Sequence, residues 1–138
     1  MSKENTSTKR TFVVDGTTYA VRRPTVLEIR LADERRSLSF NKALQRGDLL
    51  REQLDTALEM SDTRAGMVSM LGSRSELDSN TCEGKADSAR FNSLFSSCLV
   101  YEESGEVYFK GGLDEYLEKQ EDNVASVGAT EFYYLISG

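Results

Sequence analysis

Alternating hydrophobic and polar residues near the start of the chain predict a β-hairpin. Residues 11–14 and 18–22 are rich in β-branched and aromatic side chains, and Asp15 and Gly16 lie between them. An Asp-Gly pair in this position is typical of a two-residue hairpin turn, because both central residues of that turn need a positive φ. The polar residues 1–10 before the first strand are expected to be disordered.

Helical spacing replaces this alternation after Pro24, the only proline of the chain. Thr25 and Glu28 fit a capping box, in which each side chain binds the main-chain N–H of the other residue. A helix is therefore predicted from this point to about residue 45. Four leucines form its apolar side and three arginines make the other side basic: Leu27, Leu31, Leu38 and Leu44, and Arg30, Arg35 and Arg36.

A second helix is predicted directly after the first. Gly47 is expected to end the first helix, and Asp48 is expected to cap the second, which starts at Leu49. The apolar spacing of this second helix runs towards Gly72.

A third helix, a second hairpin and two more helices are predicted in the rest of the chain. Either Asp78 or Thr81 caps the third helix. Residues 99–101 and 106–109 contain β-formers and flank a four-residue turn, which predicts the second hairpin. The two last helices are expected at residues 113–120 and 124–136.

These elements together predict an α+β fold. The chain of 138 residues is expected to form one helix-rich domain over residues 11–138, with two small β-hairpins. A domain of this length buries about two thirds of the surface of its unfolded chain. The pattern leaves open whether the two hairpins belong to one sheet.

Charge is distributed unevenly along the chain. The net charge is +4 over residues 1–50, −3 over residues 51–101 and −7 over residues 102–138, and −6 in total. The acidic final third argues against broad nucleic-acid binding, which needs a basic face. Opposite charges at the two ends attract each other either within one fold or head to tail between copies of a homo-oligomer. No apolar run approaches the roughly 20 residues of a membrane helix, and no apolar signal segment is found at the start.

The chain has no histidine, the commonest general base and metal ligand. No nucleotide-binding, hydrolase or zinc-protease motif is present, so the sequence predicts no enzyme, no cofactor and no metal site. Cys82 and Cys98 are expected to be free, half-buried thiols. Glu102 and Glu103 could in principle serve as a glycosidase pair, but solvated surface charge is the better interpretation of such an acidic stretch.

Two features suggest a protein-binding surface. The arginines of the first helix, Arg30, Arg35 and Arg36, are either solvated and paired with nearby acids or part of a partner-binding patch. The aromatic end of the last helix fills the core or forms an exposed docking segment. The candidate surface combines the three arginines with Phe132, Tyr133 and Tyr134.

Seven segments of the chain carry a resemblance: residues 19–25 (YAVRRPT), 40–44 (FNKAL), 77–87 (LDSNTCEGKAD), 90–92 (RFN), 98–101 (CLVY), 108–109 (YF) and 111–117 (GGLDEYL). Together they resemble a small family of tailed-bacteriophage proteins. The resemblance runs from about residue 11 to the end, although the family members have extra helical sequence after a segment corresponding to residues 54–59. The opening hairpin, Pro-Thr and helix also resemble tail assembly chaperones.

This resemblance implies a non-enzymatic phage morphogenesis protein, either a virion component or a tail assembly chaperone. Its partners would be other phage structural or assembly proteins, without nucleic acid or membrane. Its location would be the host cytoplasm during assembly, or the virion. The alternative is a phage-encoded acidic regulatory protein that binds a host factor.

Overall fold

The computed structural model of the protein describes residues 8–60 and 74–137. The described residues form a helix-rich α+β fold, as predicted. In chain order the elements are β1 (Lys9–Val14), β2 (Thr17–Arg22), α1 (Val26–Gln45), α2 (Arg51–Met60), α3 (Arg74–Ser79), α4 (Cys82–Cys98), β3 (Leu99–Tyr101), α5 (Leu113–Glu118) and α6 (Asn123–Ser137).

The described residues divide into two compact units. The first unit joins residues 8–31 and 92–137, and the second joins residues 32–60 and 74–91. α1 and α4 each contribute residues to both units. The expectation of a single domain over residues 11–138 stays a prediction.

The first predicted hairpin is confirmed as the start of the first unit. β1 and β2 pair antiparallel with Val14 opposite Thr17, and Asp15 and Gly16 have φ values of 50° and 81°. Positive φ at both central residues is the geometry that the Asp-Gly pair predicts. β1 begins at Lys9, so the prediction that residues 1–10 are disordered is wrong for Lys9 and Arg10. Residues 1–7 lie outside the described residues.

The second predicted hairpin joins the same sheet. β3 pairs antiparallel with β2, with Ala20 opposite Val100, and the strand order is β1-β2-β3. The returning arm forms a single bridge between Val107 and Val100 in place of a full strand. The sheet therefore has three strands, and this arrangement answers the question that the sequence left open.

The core of the first unit lies where α6 and the end of α4 meet the sheet. α6 contacts all three strands. The buried aromatic side chains form a connected cluster, and the ring of Phe95 lies at its centre. The largest fully buried side chains of this cluster are Phe95, Phe109 and Phe132.

α1 begins and ends as its sequence predicts. The Thr25 N–H donates to Glu28 Oε1 at 2.9 Å, and the Glu28 N–H donates to Thr25 Oγ1 at 3.2 Å, which confirms the capping box. At the other end, the Gly47 N–H donates to the Leu44 carbonyl at 3.1 Å and the next residue bonds the Ala43 carbonyl. This pair of bonds is a Schellman motif, which ends the helix.

The start of α2 differs from the prediction. Asp48 does not cap it, because the Asp48 carboxylate accepts hydrogen bonds from Lys85 Nζ at 2.6 Å and Arg46 Nη2 at 3.2 Å. α2 begins at Arg51, and the preceding Leu50 N–H donates to the Gln53 side chain at 2.8 Å. Asp48 therefore forms a tertiary ion pair and not a helix cap. The predicted extension of α2 beyond residue 60 towards Gly72 lies outside the described residues.

Thr81 is confirmed as the cap of α4. Its Oγ1 accepts the N–H of Gly84 at 3.0 Å, three residues into the helix, and donates to the Asp78 carbonyl at 2.7 Å. Asp78 is occupied elsewhere, because both of its carboxylate oxygens bind the Arg51 guanidinium at 2.6 and 2.9 Å. The short helix α3 before this cap was not foreseen.

Candidate interaction surfaces

The predicted arginine and aromatic surface is drawn from both units. Arg30 and the aromatic end of α6 belong to the first unit, whereas Arg35 and Arg36 belong to the second. Arg30 and Arg36 are exposed and Arg35 is half-buried. Arg36 Nε lies 3.4 Å from Asp87 Oδ1, so this arginine is paired inside its own unit.

The aromatic end of α6 separates into a buried and an exposed part. Phe132 is fully buried, with its ring centroid 5.8 Å from that of Phe95, and this burial removes it from the candidate surface. Tyr133 and Tyr134 are more than half exposed. The Arg10 guanidinium lies 5.7 Å from the centroid of the Tyr134 ring, within the range of a cation–π contact.

The apolar side of α1 is exposed. Its four leucines are between 44% and 72% exposed, whereas the buried residues of the helix are Ala32 and Ala43. In the second unit the small residues Ala32, Ser39 and Ala43 share a side of the helix, and Ser39 Oγ lies 3.3 Å from the Lys85 carbonyl. Small side chains permit close helix packing, and their spacing is the signal that sequence reasoning missed. The exposed leucines are Leu27, Leu31, Leu38 and Leu44.

Arg22 forms the centre of a polar cluster in the first unit. Its two terminal nitrogens bind the two carboxylate oxygens of Glu28, both at 2.9 Å, and one also donates to the Ser97 carbonyl at 2.9 Å. The hydrogen bonds from Arg22 lower the pKa of the Glu28 carboxyl, although partial burial opposes this shift. Burial raises the pKa of the adjacent Cys98 thiol to about 12, so this thiol stays protonated at neutral pH.

Both cysteines are free, as predicted, and fully buried where half-burial was expected. Cys82 Sγ donates to the Asp48 carbonyl at 3.3 Å. Cys98 Sγ accepts a contact from Arg22 Nη1 at 3.7 Å. These buried thiols have structural contacts and no exposed nucleophilic surface.

The Glu28 charge is expected to contribute to stability in a pH-dependent way. Because the folded-state pKa of Glu28 is lowered, its contribution is fully present above the ordinary carboxyl pKa and is lost as the pH falls through the folded-state value. Replacing Glu28 by Gln keeps a side-chain acceptor for the Thr25 N–H and removes the charge. We expect Glu28→Gln to lower the free energy of unfolding by about 0.5–1 kcal/mol at pH 7 and by less in acid.

Urea unfolding of the protein and of Glu28→Gln between pH 7 and pH 3 measures this difference. Convergence of the two stability curves towards low pH is the expected result. A constant offset across the whole range would show that the loss comes from packing or capping and not from the charge.

An acidic cleft of about 840 Å³ lies at one end of the sheet. It runs between the turn of the first hairpin and the loop that follows β3. Glu102 binds Lys9 at 2.9 Å, and Glu106 lies 3.8 Å from Lys110. The lining residues are Gly16, Thr17, Thr18, Tyr101, Glu102, Glu103, Ser104, Glu106 and Lys110.

Tyr108 and Asp122 form a short hydrogen bond near this end of the sheet. The Tyr108 hydroxyl donates to Asp122 Oδ2 at 2.5 Å. Burial and the nearby carboxylate raise the pKa of Tyr108, so the phenol stays protonated as a donor. Asp122 Oδ1 also accepts the N–H of Val124 at 3.1 Å, so Asp122 caps α6 and anchors the loop before it.

Within residues 8–60 and 74–137, no group of three or more cysteine and acidic side chains could hold a metal ion. None of the helices in this part of the chain has the length and apolar character to cross a membrane. No model of a known protein family, no curated protein and no solved structure matches this chain.

Proposed function

We propose that this protein is a non-enzymatic bacteriophage morphogenesis protein that acts through protein–protein contacts. It serves as a virion component or a tail assembly chaperone, in the host cytoplasm during assembly. Its partners are other phage structural or assembly proteins. The sequence resemblance supplies the phage setting, and the exposed leucines of α1 support a role in contacts.

The leucines are the observation that carries this proposal. A monomeric protein rarely exposes a contiguous apolar patch of more than a few hundred Å², and such a patch marks a contact site. On α1 all four leucines are exposed while alanines are buried. Covering these side chains with a partner removes apolar surface from water, at about 25 cal/mol per Å².

A complementation experiment tests this role. A phage whose copy of the gene is disrupted is supplied with the wild-type protein or with Leu38→Glu, and particles are counted by electron microscopy. Leu38 is strongly exposed, so the charged residue leaves the fold intact and weakens a contact through this side chain. We expect complete particles with the wild type and a loss of most of them with Leu38→Glu.

Ser37→Glu is the matched control, because Ser37 is the exposed neighbour on the same helix and receives the same charge. It should complement like the wild type. Normal particles from the phage with the disrupted gene would remove the morphogenesis role altogether.

The acidic cleft favours a second candidate, a phage-encoded regulatory protein that binds a host factor. Glu103 and Glu106 line the cleft, in the acidic final third of the chain. A basic surface on a host protein would complement this charge. Two results together would favour this alternative. A purified host protein would bind the chain in a salt-sensitive way and would not bind the double variant Glu103→Gln/Glu106→Gln. The phage with the disrupted gene would still form normal particles.

A further inference from the structure

α1 is one continuous helix over Val26–Gln45, and one side of it is suited to packing against another helix. Leu27, Leu31, Glu34 and Leu38 follow one another at intervals of four, three and four residues. This spacing aligns side chains along one side of a helix and is typical of a two-helix contact. We call these four residues the outer stripe. All four are exposed, and the three leucines are 72%, 44% and 67% exposed in chain order.

The outer stripe also presents one anion and one cation. Glu34 lies between the leucines, and Arg30 lies one turn before it on the same flank of the helix. Both side chains are exposed, and neither forms an ion pair or a side-chain hydrogen bond with another described residue. A partner that covers the leucines therefore has to place a cation beside Glu34 and an anion beside Arg30, or these charges oppose the contact.

We propose that the outer stripe packs antiparallel against the outer stripe of a second copy of this chain, about a two-fold axis between residues 32 and 33. In this register Leu27 faces Leu38 of the second copy, and Leu31 faces Glu34 of the second copy. Arg30 then lies beside the same Glu34, so the dimer contains two ion pairs between copies. The contact is isologous, so it closes as a dimer and does not propagate.

The charges determine both the partner and the direction of the helices. A parallel pair would place Glu34 against Glu34 and Arg30 beside Arg35, which are two kinds of like-charge contact. The antiparallel pair replaces them with attraction between Arg30 and Glu34. An unrelated helix would need an acid, a base and leucines at the same spacing, whereas a second copy supplies all of them. This self-complementarity favours a second copy as the occupant.

The rows of side chains on α1 limit the size of the contact. Arg30, Glu34 and Leu38 form one row at intervals of four residues, and Leu27 and Leu31 form the next. Rows of this kind interlock when two helices cross at about 50°, so the contact is confined to residues 27–38 and the helices separate beyond them. An interface of this size is typical of reversible association, so we expect a dissociation constant in the micromolar range.

Charge reversal beside the two-fold axis tests this dimer. Arg30→Glu places a second glutamate beside Glu34 of the other copy, and Glu34→Arg places a second arginine beside Arg30. Each variant should weaken dimerisation by about tenfold. In an equal mixture one variant is acidic at both positions and the other is basic at both, so mixed dimers should form. The full-length chains are measured by sedimentation and by native mass spectrometry, which distinguishes the mixed dimer by mass.

Glu118→Arg is the matched control, because it makes the same change of charge at an exposed glutamate on a different helix, α5, and it should dimerise like the wild type. Recovery in the mixture excludes misfolding as the cause of the loss. A monomeric wild type, a dimer insensitive to both variants, or a mixture without mixed dimers would each overturn the proposal. Stronger dimerisation of Arg30→Glu would also overturn it, because a parallel pair would place the new glutamate beside Arg35.

This inference rests on the proposed function, because it names the partner of the exposed leucines of α1, but its test needs no phage component. Failure of the charge-reversal series, with loss of particles in Leu38→Glu, would remove the dimer and keep the morphogenesis role. Success of the series, with normal particles from the disrupted phage, would do the reverse.

Discussion

Replacing Phe95 by alanine is expected to lower the free energy of unfolding by about 3–5 kcal/mol. Phe95 is fully buried, and its ring centroid lies 5.1 Å from that of Tyr116, 5.8 Å from that of Phe132 and 6.4 Å from that of Phe109. Truncation removes the contacts of one ring with three others and leaves a cavity that this aromatic cluster can fill only in part.

Equilibrium unfolding in urea, followed by circular dichroism, measures the change. Tyr133→Ala is the control, because it removes an aromatic side chain of similar size that is more than half exposed. Its effect should stay within about 0.5 kcal/mol. A similarly small loss for Phe95→Ala would contradict the placement of this ring at the centre of the core.

Gly84→Ala is expected to destabilise the protein by about 2–4 kcal/mol, although the same change inside a helix ordinarily stabilises it by about 1 kcal/mol. Gly84 lies in the first turn of α4, and a Cβ at this position would fall 2.0 Å from the Asp78 carbonyl oxygen and 2.9 Å from Ser79 Cα. Both atoms belong to the main chain, so the cap of α4 or the end of α3 must move to make room.

The movement would disturb the bonds that close this region. The Thr81 N–H and hydroxyl both donate to the same Asp78 carbonyl, at 3.0 and 2.7 Å. Ser88→Ala is the control, an exposed position on the same helix where the helix preference of alanine acts alone. Thermal unfolding should show a lower midpoint for Gly84→Ala and an equal or higher one for Ser88→Ala. A higher unfolding midpoint for both variants would contradict the close contact between the end of α3 and the start of α4.

Local interactions explain why much of the fold could be predicted. The turn at Asp15 and Gly16, the capping box of Thr25 and Glu28 and the cap at Thr81 each depend on residues within four positions of one another. Such interactions are determined by residue type and spacing, whatever the rest of the chain does. The helix-rich α+β class follows from the same local patterns.

Predictions that depended on distant residues were corrected. Asp48 has the side chain of a good cap, but it binds Lys85, which is 37 positions away in sequence. Phe132 and Tyr133 are neighbours in an aromatic run, and one is buried while the other is exposed. Neither outcome could be read from neighbouring residues. The partner of Asp48 and the side chains that bury Phe132 lie far away in the sequence.

The sequence by itself determined where most helices and strands begin and end, because caps, turns and periodicity act over a few residues. The tertiary structure decided which side of each element is buried. In α1 the alanines are buried and the leucines are exposed, because close packing favours small side chains. The leucines and the small residues both follow helical spacing, so periodicity alone does not show which of the two sets is buried. The tertiary structure also decided that β2 is the central strand of the described sheet, since strand order depends on contacts between residues far apart in the chain.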